Sequence, residues 1–304
     1  MEAVSRSDRV PGDESTLRAA APATIERRSR LSTAEFLERY VLPQRPVIVT
    51  DVTADWPAMR RFTWDFFRER YGHIEKTIGG RSYTLAQAID LIHASSPGNP
   101  APYPFNLNVE TYFPELLADL APHRIYGRLD RVNHPLLPRF FMRGTEVYEL
   151  FFGGRGASFP RVHYDALCTH TSITQVIGSK EFFLYPPDQG RFMYPSPENA
   201  KTSQVDFAHP DLERFPMFAF ATPMVATVGP GETIFFPMGW WHATRIHEPC
   251  LSFGRVYLDG GNWSRYVGDV QAYWKQGRNP WFASVAGAYL RGVGRILDLR
   301  ERLM

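Results

Sequence analysis

Two histidines and one aspartate are the residues whose types and spacing best fit a chemical role. His163 and Asp165 are separated by one residue, and His242 follows much later, at the end of the segment Gly239-Trp240-Trp241-His242. Two imidazoles and one carboxylate are the ligand set of non-heme Fe(II) oxygenases. Three protein ligands on one face of the iron leave its other positions open, so a chelating cosubstrate and O₂ can bind together.

A β-strand would bring the first two ligands to the same side. Side chains alternate along a strand, so His163 and Asp165 share one face while Tyr164 points away. The third ligand must come from a later strand, which an antiparallel sheet places beside the first when it rolls up. A second motif of this type, His209-Pro210-Asp211, lies in a proline-broken stretch that is typical of a loop. We therefore do not expect it to bind metal.

Lys180 is a candidate anion-binding residue. The segments 171–177 and 180–185 are rich in β-branched and aromatic residues, and two residues separate them, which predicts a tight hairpin. In that register Lys180 is the only cation on a face otherwise made of Ile173, Gln175, Ile177, Phe182 and Leu184. A buried ammonium needs an anionic partner. The alternative is a lysine at a strand end that reaches water.

The ordered series of motifs resembles the JmjC-type, cupin-like oxygenases that use 2-oxoglutarate. The resemblance covers roughly residues 30 to 265, and within the group it is strongest to the asparaginyl hydroxylase factor inhibiting HIF and its bacterial relatives. Besides His163-Tyr164-Asp165, the segments that carry it are 45–49 (RPVIV), 55–57 (DWP), 175–180 (QVIGSK), 185–189 (YPPDQ), 203–206 (SQVD), 228–232 (VGPGE) and 237–242 (PMGWWH).

The resemblance implies a set of ligands for iron and cosubstrate. His163, Asp165 and His242 would bind Fe(II), and Lys180 would pair with the distal carboxylate of 2-oxoglutarate. Tyr103 would donate a hydrogen bond to the same carboxylate.

The sequence departs from the family pattern at two places. The stretch between Asp165 and Gln175 is about two residues longer than in the human enzyme of the family, so Thr169, His170 and Thr171 cannot be aligned with its cosubstrate-binding asparagine. Thr171 and Gln175 are candidate cosubstrate contacts in this region. On the strand after His242, Arg255 stands near a position where relatives often carry an asparagine. Arg255 either donates to the cosubstrate or is a structural or surface residue.

The predicted fold is mostly β with flanking helices, around a double-stranded β-helix core of the jelly-roll or cupin type. Residues 145–258 form short apolar segments punctuated by Gly and Pro, which favours this architecture. Helices are predicted to begin near Ser32, Trp64 and Leu85 and again in residues 281–304.

Three regions follow from these patterns. Residues 1–28 are rich in Arg, Ala, Pro and Ser without periodicity and are predicted to be a flexible tail. Residues 29–265 would form the catalytic domain with its N-terminal helical additions. Residues 266–304 would form a C-terminal helical segment with an apolar stripe, a possible homodimer surface of the kind that the resemblance implies.

Composition excludes several classes of function. A net charge of +2 in 304 residues argues against nucleic-acid binding and against a polybasic membrane patch. There is no apolar run long enough to span a bilayer and no signal-peptide pattern. Because the chain has only two cysteines, Cys168 and Cys250, a disulfide framework is not expected and a reducing cytoplasm is the expected location.

The expected function is that of a dioxygenase dependent on Fe(II), 2-oxoglutarate and O₂. It would hydroxylate a C–H bond of a protein or peptide side chain and release succinate and CO₂. Alternatives are hydroxylation of a small molecule or peptide natural product, removal of an N-methyl group by the same chemistry, and a non-catalytic cupin-like binding protein. The altered strand at Arg255 favours the last of these, while the intact His163, Asp165, His242 and Lys180 oppose it.

Overall fold

The computed structural model describes residues 23–125, 130–132, 134–142, 144–145, 147–159, 161–276 and 280–302. Residues 1–22 of the predicted tail lie outside these ranges. The prediction of a tail is wrong for residues 23–28, because these residues form two short strands, β1 (Ala23–Thr24) and β2 (Arg27–Arg28). Both strands pair in parallel with longer strands, and Ile25 between them is buried.

The remaining strands form the centre of the protein. They are β3 (Val47–Val49), β4 (Glu75–Ile78), β5 (Arg81–Thr84), β6 (Phe105–Asn108), β7 (Tyr148–Gly153), β8 (Arg161–His163), β9 (His170–Ile177), β10 (Lys180–Tyr185), β11 (Thr202–Asp206), β12 (Met224–Val228), β13 (Thr233–Phe236), β14 (Trp241–Ile246) and β15 (Cys250–Tyr257).

Helices precede and follow these strands. The α-helices are α1 (Thr33–Phe36), α2 (Ala58–Arg61), α3 (Trp64–Tyr71), α4 (Leu85–His93), α5 (Val109–Tyr112), α6 (Trp263–Gln276) and α7 (Pro280–Arg302). One π-helical turn spans Leu37–Val41, and 3₁₀ turns span Pro114–Leu120, Arg139–Met142, Ala166–Cys168, Pro187–Phe192 and Pro216–Phe220. The predicted starts are confirmed, since Ser32 and Thr84 form capping boxes and α3 begins at Trp64.

Two sheets face each other to make the predicted jelly-roll core. One sheet has six strands in the order β1-β12-β10-β14-β8-β11, and the other has seven in the order β2-β3-β13-β9-β15-β7-β6. Apart from the parallel pairs made by β1 and β2, the paired strands are antiparallel. The matching cupin-like architecture confirms the predicted fold class.

The predicted hairpin of residues 171–185 is wrong. β9 pairs with β13 and β15 in one sheet, whereas β10 pairs with β12 and β14 in the other. The chain crosses between the sheets at Gly178, which has a φ of 62° and approaches Pro249 so closely that an added Cβ would lie 2.2 Å from the carbonyl oxygen. Lys180 nevertheless faces the same interior as Ile173 and Phe182, because the two sheets enclose it from opposite sides.

Helices cover the outer side of the seven-stranded sheet. Residues of α3 and α4 pack with Leu150 and Phe152 of β7 and Phe253 of β15 in one large apolar cluster. α6 and α7 pack together over Leu258, and α6 begins slightly before the predicted boundary at residue 266. None of the helices in the described ranges has the length and apolar character that a membrane crossing requires.

Candidate metal centre

The three predicted ligands converge at a cavity between the sheets. His163 at the end of β8 and His242 on β14 are directly paired across the sheet, and Asp165 follows two residues after His163. One ligand atom from each residue lies within 4.8 Å of those of the other two. Within the described ranges this is the one group of three such side chains that could hold a metal ion. The cavity beside it has a volume of about 350 Å³.

Backbone carbonyls fix which nitrogen of each histidine is free to bind a metal. Nδ1 of His163 lies 3.2 Å from the carbonyl oxygen of Arg161, and Nδ1 of His242 lies 3.1 Å from that of Trp240. A carbonyl oxygen only accepts, so each Nδ1 must donate its hydrogen. Each Nε2 is then left with a lone pair, the state that a metal ligand needs.

Asp165 is held by a residue that was expected to contact the cosubstrate. The hydroxyl of Thr171 donates a short hydrogen bond to Oδ2 of Asp165. The other carboxylate oxygen, Oδ1, lies 4.0 Å from Nε2 of His242. Thr171 lines the cavity, but its hydroxyl is engaged in orienting a ligand, as outer partners of metal ligands commonly do.

His242 is kept neutral by its surroundings. Burial is the main cause that lowers its pKa, to about 4, and the neighbouring His163 contributes in the same direction. At neutral pH the imidazole is therefore uncharged. This is the form that coordinates a metal.

Lys180 is a buried cation. Lys180 is only 2% exposed. Its Nζ donates a hydrogen bond of 3.2 Å to the hydroxyl of Tyr103, and it lies over the rings of Tyr103 and Phe151. Burial opposes its charge, but Tyr103 and Cys250 hold the pKa of Lys180 above its usual value. Among the described side chains no carboxylate pairs with it. The site therefore offers a buried ammonium without a carboxylate partner, on the wall of the cavity and not at the protein surface.

Thr244 is a polar residue on the wall of the cavity that also contains Lys180, and it was not predicted from the sequence. It lies opposite Phe182 on the strand that carries His242, and its buried Oγ1 has no hydrogen-bond partner in the described part of the chain. The signal was available, since residues two apart on a strand share a face. Together with Lys180 and Tyr103, this hydroxyl makes the inner end of the cavity suitable for an anion.

Gln175, a predicted cosubstrate contact, has a structural role. Gln175 donates to the carbonyl of Ile177 and accepts from the hydroxyl of Ser252, so its amide joins β9 to β15. It is not among the residues that line the cavity.

Arg255 is a buried residue with structural partners, not a surface arginine. It is among the residues that line the cavity, together with Gly254 and Val256. Its Nη2 lies 2.5 Å from Oδ2 of Asp130, and the guanidinium packs against the rings of Tyr148 and Tyr257. These contacts support a structural role, and a contact between Arg255 and the cosubstrate stays a prediction.

Comparison with known proteins gives a consistent assignment. The family description "cupin-like domain" matches residues 33–257. The protein named lysine-specific demethylase JMJ21 of Arabidopsis thaliana is 28% identical over 254 residues, which cover 78% of this chain and 26% of that protein. Lysine-specific demethylase 8 of Xenopus tropicalis is 24% identical over 73% of this chain and 49% of its own length.

A third relative matches a shorter segment. HSPB1-associated protein 1 of Homo sapiens is 35% identical over 111 residues, which cover 35% of this chain and 22% of that protein. The chain thus spans about half or less of the length of these three curated relatives. Two of them are named as demethylases, so they do not specifically support the narrower likeness to the asparaginyl hydroxylase.

Proposed function

The chain belongs to the cupin-like domain family, and on that premise we propose that it is a dioxygenase dependent on Fe(II) and 2-oxoglutarate. The observation that carries the proposal is the convergence of His163, Asp165 and His242, whose free Nε2 atoms and carboxylate oxygen match the iron ligands of this enzyme class. The donor set thus fits Fe(II). The buried ammonium of Lys180, on the wall of the same cavity, supports an anionic cosubstrate.

Some residues of the cavity would hold the iron and the cosubstrate, and others would exclude water. His163, Asp165 and His242 would hold the iron, and Thr171 would keep Asp165 in position. Lys180, Tyr103 and Thr244 would bind the distal carboxylate of 2-oxoglutarate by charge and hydrogen bonds. When bound, iron and 2-oxoglutarate supply the oxidation, in which a substrate C–H bond, O₂ and 2-oxoglutarate give an alcohol, succinate and CO₂. Apolar walls that include Phe151, Phe159, Phe182 and Phe236 would keep water from the site.

We favour hydroxylation of a protein or peptide side chain, and removal of an N-methyl group is the second candidate. The names of two relatives favour the second. Oxidation of an N-methyl carbon gives an unstable alcohol on nitrogen, which releases formaldehyde. The alternative of a binding protein without activity is favoured by Arg255, but the pairing of this residue with Asp130 gives it a structural reason to be there.

Turnover of 2-oxoglutarate tests the proposal. Reduced protein with Fe(II) and O₂ should convert 2-oxoglutarate slowly to succinate without added substrate. His163→Ala, Asp165→Ala and His242→Ala should each abolish this conversion, while His209→Ala and Asp211→Ala, on an exposed loop, should keep it. Equal succinate formation by wild type and His163→Ala would contradict the assignment.

Mass analysis separates the two oxidation products. Peptides incubated with the enzyme should gain one oxygen, about 16 Da, if the product is a stable alcohol. Loss of a methyl group with release of formaldehyde would instead establish the demethylase.

A further inference from the structure

His170 on β9 is a buried histidine that does not itself belong to the metal centre. Its exposed fraction is 0%, and although its neighbours Thr169 and Thr171 line the cavity, His170 does not. Its ring lies instead near that of Phe235, which belongs to an apolar cluster outside the cavity, with 5.8 Å between the ring centroids. Because burying an imidazole is costly unless its nitrogens have partners, the contacts of this ring call for a reason.

One ring nitrogen of His170 accepts a hydrogen bond from the backbone of Met238. The N–H of Met238 donates to Nδ1 at 3.1 Å, and the contact is buried. A backbone N–H only donates, so Nδ1 must carry the lone pair and Nε2 the hydrogen. Nε2 faces Oδ2 of Asp259 at 3.6 Å, and neither atom has a hydrogen-bond partner among the described residues. Burial lowers the pKa of His170, against the opposing charge of Asp259, so the ring is neutral at neutral pH and keeps its acceptor.

Met238 lies in the turn between β13 and β14, which leads directly to a metal ligand. At the end of this turn, the carbonyl of Trp240 accepts a hydrogen bond from Nδ1 of His242 at 3.1 Å. The indole N–H of Trp240 donates to the carbonyl of Gln44 at 3.1 Å. The turn is therefore held on one side by His170 and on the other by Gln44. Its last carbonyl sets the orientation of the His242 ring.

From these contacts we propose that His170 is a positioning residue for the metal centre. It fixes the turn through the N–H of Met238, and the turn aims Nε2 of His242 at the metal. The inference rests on the proposed function, since it concerns the same metal centre. Two neighbours on β9 then support different ligands: Thr171 orients Asp165 from within the cavity, and His170 orients His242 from outside it.

Two amide substitutions test the acceptor on His170. In His170→Asn the amide oxygen stands where Nδ1 stands and can still accept from Met238, whereas in His170→Gln the amide reaches the position of Nε2, toward Asp259. His170→Gln should bind Mn(II) about tenfold more weakly than the wild type, as expected when an outer partner of a metal ligand is lost. His170→Asn should keep nearly wild-type affinity. Calorimetry with Mn(II) measures both.

Two further measurements separate positioning from general stability. Ser172→Ala removes a buried hydrogen bond to the hydroxyl of Tyr257 from the same strand, two residues from His170. It should lower the free energy of unfolding in urea but leave the Mn(II) affinity unchanged. In the metal-free protein, the Met238 amide should exchange its hydrogen faster in His170→Gln than in the wild type or His170→Asn, because only His170→Gln removes its acceptor.

The outcomes distinguish this inference from the proposed function. Equal Mn(II) affinity in the wild type and in folded His170→Gln would overturn the inference and leave the proposed function standing. An equal loss of affinity in Ser172→Ala would also overturn it. If His170→Gln does not fold, His170→Asn decides: affinity near that of the wild type supports the inference, and a clear loss overturns it. A wild type that binds no Mn(II) would contradict both.

Discussion

At the scale of single residues, the buried ammonium of Lys180 is the feature that best supports binding of 2-oxoglutarate. Its ammonium is buried against Tyr103 without a carboxylate among the described side chains. Removing one member of a buried ion pair costs about 3 to 5 kcal/mol, so Lys180→Met should weaken 2-oxoglutarate binding on the order of a hundredfold or more. Calorimetry on the Mn(II)-loaded protein measures this, and metal affinity should stay nearly constant. Lys275 is an exposed lysine of α6, so Lys275→Met is the matched control. If Lys180→Met binds 2-oxoglutarate as tightly as the wild type, another residue must hold the distal carboxylate.

Thr171 should act through the metal ligand it contacts. Thr171→Val keeps the shape but removes the hydrogen bond to Asp165. Loss of such an outer partner typically lowers metal affinity about 10- to 100-fold, and we expect a change in this range. Thr171→Ser should restore most of the affinity because it restores the hydroxyl. A Thr171→Val variant with unchanged Mn(II) affinity would show that Asp165 needs no such support.

The sequence predicted some of these residues better than others. Ligand type and spacing were enough to bring together His163, Asp165 and His242. The role of Arg255 was left open between a cosubstrate donor and a structural or surface residue, because a residue type does not reveal which partners distant parts of the chain bring to it.

At the scale of elements, the sequence predicted where helices begin but did not predict which strands pair. Ser32 and Thr84 began helices as their capping patterns predicted. Gly178 and Ser179 gave the signal of a hairpin turn, yet the strands on either side join different sheets. A turn signal reports the local change of direction, whereas the partner of a strand is chosen by packing with residues far along the chain.

Gly178 should therefore be sensitive to substitution. Gly178→Ala places a side chain at a φ of 62° and 2.2 Å from the carbonyl oxygen of Pro249. We expect the free energy of unfolding in urea to fall by more than the roughly 1–3 kcal/mol that backbone strain alone costs. Gly79→Ala has a similar φ of 57° with nothing within 4 Å of the new Cβ, so it should show the backbone part only. Equal losses in the two variants would mean that the close approach to Pro249 is relieved at little cost.

At the scale of the whole molecule, the C-terminal helix exposes an apolar surface. Trp281, Ile296 and Leu299 on α7 are 73%, 58% and 62% exposed. Val293 on the same helix packs instead into the protein's own core, and the hydroxyl of Tyr289 donates to the carbonyl of Leu136. The homodimer stays a prediction that this surface favours.

Solution mass tests the dimer. Wild type should sediment as two copies, and the double variant Ile296→Asp, Leu299→Asp should sediment as one, because charges placed in an apolar interface are costly to bury. Leu212→Asp changes an exposed apolar residue on a loop outside α6 and α7 and should leave the mass unchanged. A wild-type protein that sediments as a single copy at high concentration would contradict the prediction.

The central claim is that 2-oxoglutarate binds to Fe(II) held by His163, Asp165 and His242. Anaerobic titration of 2-oxoglutarate into the Fe(II)-loaded protein tests it directly, since chelation of the metal by a 2-oxo acid gives a charge-transfer absorption band in the visible. We predict a saturable band with one equivalent per chain in the wild type and in His209→Ala, and no band in His242→Ala. A band of equal strength in His242→Ala, or none in the wild type, would contradict the account.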